Sequence, residues 1–267
     1  MIGFFDSGFG GLTILKEVEK TLPNFSYIYL GDNARAPYGG HSQEIIYQYI
    51  IEGVEELFRQ GAKLVILACN TASAVALKKL QQEWLPLHYP DRRVLGIFNP
   101  IVEEAGAHNF KTIGLFATQA TVESEAFIRE IVKIDMDVTV FQQACPLLVP
   151  IIETGNFDQL ESVVQKYAQE LSEKSNPMDA IILGCTHYAI VAKTFRKYLP
   201  AGIKIFSQGE IVAKKLKEYL DRHPEFKGKL KEGEKKIFLT TENSPHVQVL
   251  AELFYGEKID LFVVSLS

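Results

Sequence analysis

The sequence is poor in the residues that advertise most specialised functions. Three cysteines in 267 residues, at 69, 145 and 185, are too few and too widely spaced for a disulfide framework or a zinc clip. There is no excess of positive charge. Twenty-eight Lys and Arg against 33 Asp and Glu leave a net charge of −5, which argues against a nucleic-acid partner. No apolar run approaches the ~20 residues of a membrane-spanning helix. The opening Met1-Ile2-Gly3-Phe4-Phe5-Asp6 carries no basic region of a signal peptide. No G-x-x-x-x-G-K-[ST] occurs, and Thr13 stands where the third glycine of a dinucleotide fingerprint would fall. The expected compartment is therefore a reducing cytoplasm, and neither metal, nucleic acid nor membrane is expected as a partner.

What is present is ordinary globular material, 47% apolar and 23% charged. At roughly 150 residues per domain the length allows one large domain or two modest ones. Short β-branched or aromatic runs predict strands at 2–5, 27–30, 64–68, 94–98, 112–116, 138–141, 180–183, 204–206, 236–239 and 260–263. Most are apolar throughout, as strands covered on both faces must be. Amphipathic patterns between them predict helices at 12–20, 43–60, 73–83, 101–107, 122–132, 158–173, 191–198, 211–221 and 247–254. Such alternation means an α/β fold with mostly parallel sheets. Ten short strands fit two small sheets better than one. The polar stretch 221–235 reads as a solvated turn.

An internal echo supports two similar halves. Ile66-Leu67-Ala68-Cys69-Asn70-Thr71 aligns without gaps on Ile182-Leu183-Gly184-Cys185-Thr186-His187, 116 residues later. Each segment is a buried strand, a small residue, a cysteine and polar groups leading into a predicted helix. Ligands of open α/β sheets bind at the carboxyl ends of strands. Helix N-termini favour the thiolate. Two thiols in equivalent settings suit a site between the halves, one thiol facing each side of a small substrate. That is a poor design for a hydrolase, which wants one nucleophile and one base. It suits inversion of a stereocentre, with one face deprotonated and the other reprotonated. Cys145, before Pro146, has no comparable polar flank and reads as structural.

Further candidates surround these two. Gly3-Phe4-Phe5-Asp6-Ser7-Gly8-Phe9-Gly10-Gly11 is a glycine-rich strand-to-helix turn of the kind that cradles an anion. Asp6 there is either an acid–base group or a helix N-cap. Asp32, Tyr38 and the Gly39 backbone lie in a Gly/Pro/Asn-rich loop that suits a polar ligand or a plain surface turn. His187, two residues after Cys185, is a candidate proton carrier. Glu153 closes the apolar stretch 146–152 and is a candidate buried carboxylate.

The combination Asp6-Ser7-Gly8-x-Gly10-Gly11, Pro37-Tyr38-Gly39, Ala68-Cys69-Asn70-Thr71-Ala72-Ser73 and Gly184-Cys185-Thr186-His187-Tyr188 resembles the cofactor-independent aspartate/glutamate racemase family, and its glutamate racemases in particular. The likeness runs from residue 2 to about 256. It implies two α/β domains with the site in the cleft between them. The implied order is interleaved, residues 1–97 plus 208–267 forming one domain and 98–207 the other. It implies racemisation of L- and D-glutamate as substrate, supplying D-glutamate for peptidoglycan, with no pyridoxal phosphate and no metal. A homodimer is compatible with the sequence.

By the resemblance, Cys69 is the base for the D-substrate and Cys185 the base for the L-substrate. Asp6 assists Cys69 and His187 assists Cys185, and Asp32 and Glu153 match two further carboxylates. Ser7, Pro37, Tyr38, Gly39, Asn70, Thr71 and Thr186 match substrate-binding positions. Ala36, Asn99, Ala189 and Ser207-Gln208 depart from the family pattern. The alternatives are a racemase for aspartate or another acidic substrate, and a non-catalytic protein that binds acidic amino acids. Two thiols argue against mere binding.

Overall fold

A computed structural model describes residues 1–267 except Asn176, Ser207, Lys231 and Ser267. Its strands are β1 (Ile2–Asp6), β2 (Tyr27–Gly31), β3 (Leu64–Leu67), β4 (Arg93–Gly96), β5 (Thr112–Ala117), β6 (Thr139–Ala144), β7 (Ala180–Gly184), β8 (Lys204–Phe206), β9 (Lys236–Thr240) and β10 (Leu261–Val263). They form a six-stranded sheet in the order β10-β9-β2-β1-β3-β4 and a four-stranded sheet in the order β6-β5-β7-β8. Every ladder between these strands is parallel. The fold is α/β, with helices covering both sheets.

The echo in the sequence is an echo in space. The run β2-β1-β3-β4 in one sheet repeats as β6-β5-β7-β8 in the other. Phe5 of β1 pairs with Leu67 of β3, and Phe116 of β5 with Leu183 of β7. Cys69 and Cys185 each follow two residues after those partners. The central strands β1, β2, β3 and β7 are buried along their whole length, because helices pack on both faces. The two sides of β1 feed different clusters: Ile2 and Phe4 join the core that runs into the second sheet, and Phe5 packs with Ile46, Ile50 and Leu57 of the helix Gln43–Arg59.

Some boundaries differ from the sequence reading. The strand expected at 94–98 ends at Gly96, and Phe98 opens the helix Phe98–Gly106. The helix expected at 73–83 starts earlier, at Asn70, and passes through a π-helical turn, Leu80–Trp84. The helix expected at 122–132 is two, Gln119–Glu123 and Ala126–Ile134. Glu125 breaks it at φ 51°, and Ser124 Oγ caps both ends of the break by donating to Thr121 O and accepting from Ala126 N–H. The stretch 221–235 is not a simple solvated turn. It folds a short helix, Pro224–Lys227, and buries Phe226 and Leu230.

Candidate active site

Asp6 ends β1 in the middle of the larger sheet and is completely buried. It is not a helix cap, since Gly10 precedes the helix Gly11–Thr21 without any side-chain bond. The turn after β1 instead wraps the Asp6 carboxylate: Gly8 N–H donates to Oδ1 at 2.8 Å, and Thr186 Oγ1 donates to Oδ2 at 3.2 Å. Ser7 Oγ stands 3.5 Å from Asp6 Oδ1 and 3.6 Å from Cys69 Sγ. Burial pushes the Asp6 carboxyl up, and the charge of His187 and these hydrogen bonds oppose it. Asp6 thus links the turn of one sheet to the cysteine segment of the other.

The two cysteine segments are alike but not identical. Cys69 caps the helix Asn70–Lys79, its sulfur accepting from Ala72 N–H at 3.5 Å. The helix terminus does not make this thiol acidic, as the sequence had suggested. Burial, followed by the Asp6 carboxylate, pushes Cys69 up to about 12. Cys185 leads into a single 3-10 turn, Thr186–Ala189, and the α-helix begins only at Ala192. Both thiols are nearly sealed, at 6% and 7% exposure.

Cys185 has its own proton relay. Its Sγ lies 3.8 Å from His187 Nδ1, and His187 Nε2 lies 2.9 Å from Glu153 Oε1. Burial disfavours the His187 charge, but the bonds to Cys185 and Glu153 outweigh it and hold the imidazolium well above its usual range. Phe254 stacks edge-to-face on the ring, centroids 5.2 Å apart. Glu153 ends the helix Leu148–Glu153, a segment whose sequence shows an apolar stretch without helical periodicity.

Two glycines allow this closeness. A Cβ on Gly8 would sit 2.7 Å from Glu153 Oε1. One on Gly10 would overlap the Thr186 hydroxyl and lie 2.8 Å from the His187 nitrogen. Only backbone fits where the first turn meets the Cys185 segment.

The remaining candidates fall into smaller groups. Thr71 Oγ1 lies 2.9 Å from Thr118 Oγ1 and 3.3 Å from Thr121 Oγ1, a buried hydroxyl cluster across the two sheets. Asn70 pairs with Gln208. Asp32 is fully engaged elsewhere, accepting from Arg35 Nε at 2.7 Å, Tyr38 OH at 2.5 Å and Thr241 Oγ1 at 2.9 Å. It shares no hydrogen bond with either cysteine. Pro37, preceded by a cis peptide bond, and Gly39 line a cavity of about 280 Å³ with Thr118, Cys145 and Val149. Cys145 therefore borders this cavity, while its thiol donates to Gln143 O. Cys185 and Thr186 line a second cavity, of about 330 Å³, with Gln208.

Thr118, Thr121 and Gln208 were missed in the sequence. Thr118 had a usable signal: it follows β5 as Ser7 follows β1, at the carboxyl end of a central strand. Gln208 had none beyond its departure from the family pattern, where Ser207 itself lies outside the described residues.

Known proteins resemble this chain in sequence and in fold. Residues 12–216 match a family model described as Asp/Glu/Hydantoin racemase. A glutamate racemase of Roseobacter denitrificans is 40% identical over 270 residues, 97% of this chain and 98% of that protein. One of Jannaschia sp. is 42% identical over 275 residues, covering 99% of each. Among solved structures, glutamate racemase of Francisella tularensis in complex with D-glutamate is 31% identical with a TM-score of 0.87, covering 99% of this chain and 97% of that one. That of Thermus thermophilus in complex with beta-chloro-D-alanine is 34% identical with a TM-score of 0.83, covering 99% and 96%. The chain belongs to the Asp/Glu/hydantoin racemase family, and within it to the glutamate racemases.

Proposed function

We propose that the protein interconverts L- and D-glutamate by proton transfer at the α-carbon between Cys69 and Cys185. The observation that carries this reading is the pair of thiols at equivalent strand ends of two matching sheets, each with its own partners. Cys69 has Ser7 and, behind it, Asp6. Cys185 has His187 and, behind it, Glu153. A binding protein has no use for two such relays.

The chemistry runs as follows from the L-enantiomer. The Cys185 thiolate takes the α-proton, leaving the electron pair on the α-carbon. Cys69 donates its S–H proton to the opposite face, giving the D-enantiomer and a Cys69 thiolate. Resetting moves one proton back, from Cys185 to Cys69. The resting state suits this direction, because burial and the Asp6 carboxylate keep Cys69 protonated. From the D-enantiomer each role reverses. His187, held charged, offsets the negative charge that forms on Cys185. Asp6 and His187 are thus proton-managing groups, and Glu153 supports the imidazolium.

Ser7, Asn70, Thr71 and Thr186 are the substrate's polar contacts in this scheme, and Pro37, Tyr38 and Gly39 wall the cleft. Asp32 serves that wall by holding Tyr38. The two units meeting at the cleft are residues 1–97 with 208–267, and residues 98–207. The product D-glutamate serves peptidoglycan synthesis, in the cytoplasm. A circular-dichroism time course with L-glutamate and no added cofactor tests the reading. The signal should decay to zero. A flat trace together with measurable glutamate binding overturns catalysis in favour of binding alone.

A further inference from the structure

Asn70 and Gln208 are 138 residues apart and form a closed pair of amides. Asn70 Nδ2 donates to Gln208 Oε1 at 2.8 Å, and Gln208 Nε2 donates back to Asn70 Oδ1 at 2.9 Å. Both residues are buried. Asn70 is the first residue of the helix capped by Cys69. Gln208 is the first residue of the helix Gln208–Arg222, by which the chain returns from β8 of the smaller sheet to pack on the helix Gly11–Thr21. Its neighbour Gly209 sits so close to that helix that a Cβ would fall 2.8 Å from Glu17 Cγ. The position of Gln208 is therefore fixed by packing rather than by the bond itself.

From this geometry we propose that Gln208 is a positioning residue for glutamate: it fixes the plane of the Asn70 amide so that its second N–H meets a substrate carboxylate. An asparagine amide has two donors and two acceptor sites. The pair consumes one donor and one acceptor, both facing Gln208. What remains unpaired in the amide is one N–H and one acceptor site of Oδ1, each at a fixed place on a side chain that no longer rotates. An unheld amide spends part of its time presenting its carbonyl oxygen, which repels a carboxylate. Pre-setting the donor lowers the ordering cost of binding. Gln208 also borders the cavity shared with Cys185 and Thr186, so the orientation of Asn70 beside one thiol is tied to the segment beside the other. The proposal rests on the reading of Asn70 as a substrate contact.

Four variants test it, each read as KM and kcat for both enantiomers. Gln208→Ala should raise KM on the order of fivefold, as loss of one orienting hydrogen bond implies, and change kcat much less, because the contact is made before and during the reaction. Asn70→Ala combined with Gln208→Ala should bind no worse than Asn70→Ala alone, since Gln208 acts only through Asn70. Gln208→Glu keeps size and shape but, once ionised, sets a carboxylate oxygen against Asn70 Oδ1. Its KM should be raised at neutral pH and recover toward acid pH as the introduced carboxyl regains a proton to donate. Additive effects in the double variant overturn the proposal. So does a Gln208→Glu enzyme that matches wild type at every pH, the result expected of mere packing. An Asn70→Ala variant with unchanged KM removes instead the reading of Asn70 as a substrate contact, which the two single Gln208 variants leave untouched.

Discussion

Glu153 Oε1 stands 2.9 Å from His187 Nε2, and the opposite nitrogen of the same ring stands 3.8 Å from Cys185 Sγ. The histidine is thus a bridge with a carboxylate at one end and a thiol at the other. Its charge exists because those two partners outweigh burial.

Replacing Glu153 by Gln keeps a hydrogen-bond acceptor but removes the charge. The His187 pKa should fall, and the alkaline limb of the kcat profile should move to lower pH. Stability should follow the same sign. A histidine whose folded pKa is raised contributes fully below its unfolded value near 6.5 and loses that contribution as pH rises through the folded value. The Tm gap between wild type and Glu153→Gln should therefore be widest below about pH 6.5 and close in alkali. A gap that widens with pH contradicts the charged bridge. His187→Gln should lower kcat on the order of a hundredfold, the low end for general acid–base groups.

Gly10→Ala probes the contact between the first turn and the Cys185 segment. The added methyl would overlap Thr186 and approach the His187 backbone, and neither neighbour is the free end of a flexible chain. Activity should fall by more than tenfold while far-UV circular dichroism stays native. Near-normal activity means the two segments separate more easily than their packing implies.

Much of this arrangement was legible in the sequence. All ten strands of the described residues overlap a predicted run; β1, β2, β3 and β7 are plainest because they are buried along their whole length, whereas β4, β6, β8 and β10 are partly exposed and show through β-branched or aromatic residues. The 116-residue echo located both thiols and the equivalence of their surroundings. What escaped was whatever depends on contacts made far along the chain. Cys69 reads as an acidic thiol at a helix terminus, yet burial beside Asp6 reverses the sign. Asp32 reads as a loop carboxylate suited to a polar ligand, yet Arg35, Tyr38 and Thr241 engage it. The break at Glu125 hides in an unbroken amphipathic pattern, because it depends on Ser124 bonding both helices.

Alkylation kinetics report the Cys69 environment. With its thiol held up to about 12, iodoacetamide should modify Cys69 in the ligand-free enzyme slowly at pH 8, and the rate should still be climbing above pH 10, since only the thiolate attacks. D- or L-glutamate should protect it. A rate that levels off near pH 8.5 indicates an ordinary, solvated thiol.

Asp32 and Tyr38 should behave as a structural pair. Tyr38→Phe strips one of the hydrogen bonds from a buried carboxylate, which costs about 1–3 kcal/mol. Tm should drop accordingly, and the shape of the pH–rate profile should not change. Asp32→Asn should lower Tm in the same way. A loss of one limb of the pH profile in Asp32→Asn, with Tm intact, restores Asp32 to proton transfer.

Isotope incorporation addresses the two thiols directly. If Cys69 and Cys185 serve opposite faces of the α-carbon, the proton removed and the proton delivered are different atoms. In D₂O the delivering thiol carries deuterium, because S–H exchanges with solvent. Starting from L-glutamate, the D-product should be deuterated at the α-carbon from the first turnover, while the remaining L-pool stays largely protiated. Starting from D-glutamate, the label should appear in the L-product. Cys69→Ser and Cys185→Ser should each abolish racemisation in both directions, since every direction needs one base and one acid and serine is a far weaker acid than cysteine. The variants need not be silent in exchange. Cys69→Ser retains Cys185 with its His187–Glu153 relay and should still wash deuterium into L-glutamate. Cys185→Ser retains Cys69 and should wash it, more slowly, into D-glutamate, because burial and Asp6 disfavour the Cys69 thiolate. A single base serving both faces predicts one dead variant, one nearly normal one, and equal early labelling of both enantiomers. That pattern rules out the two-cysteine mechanism.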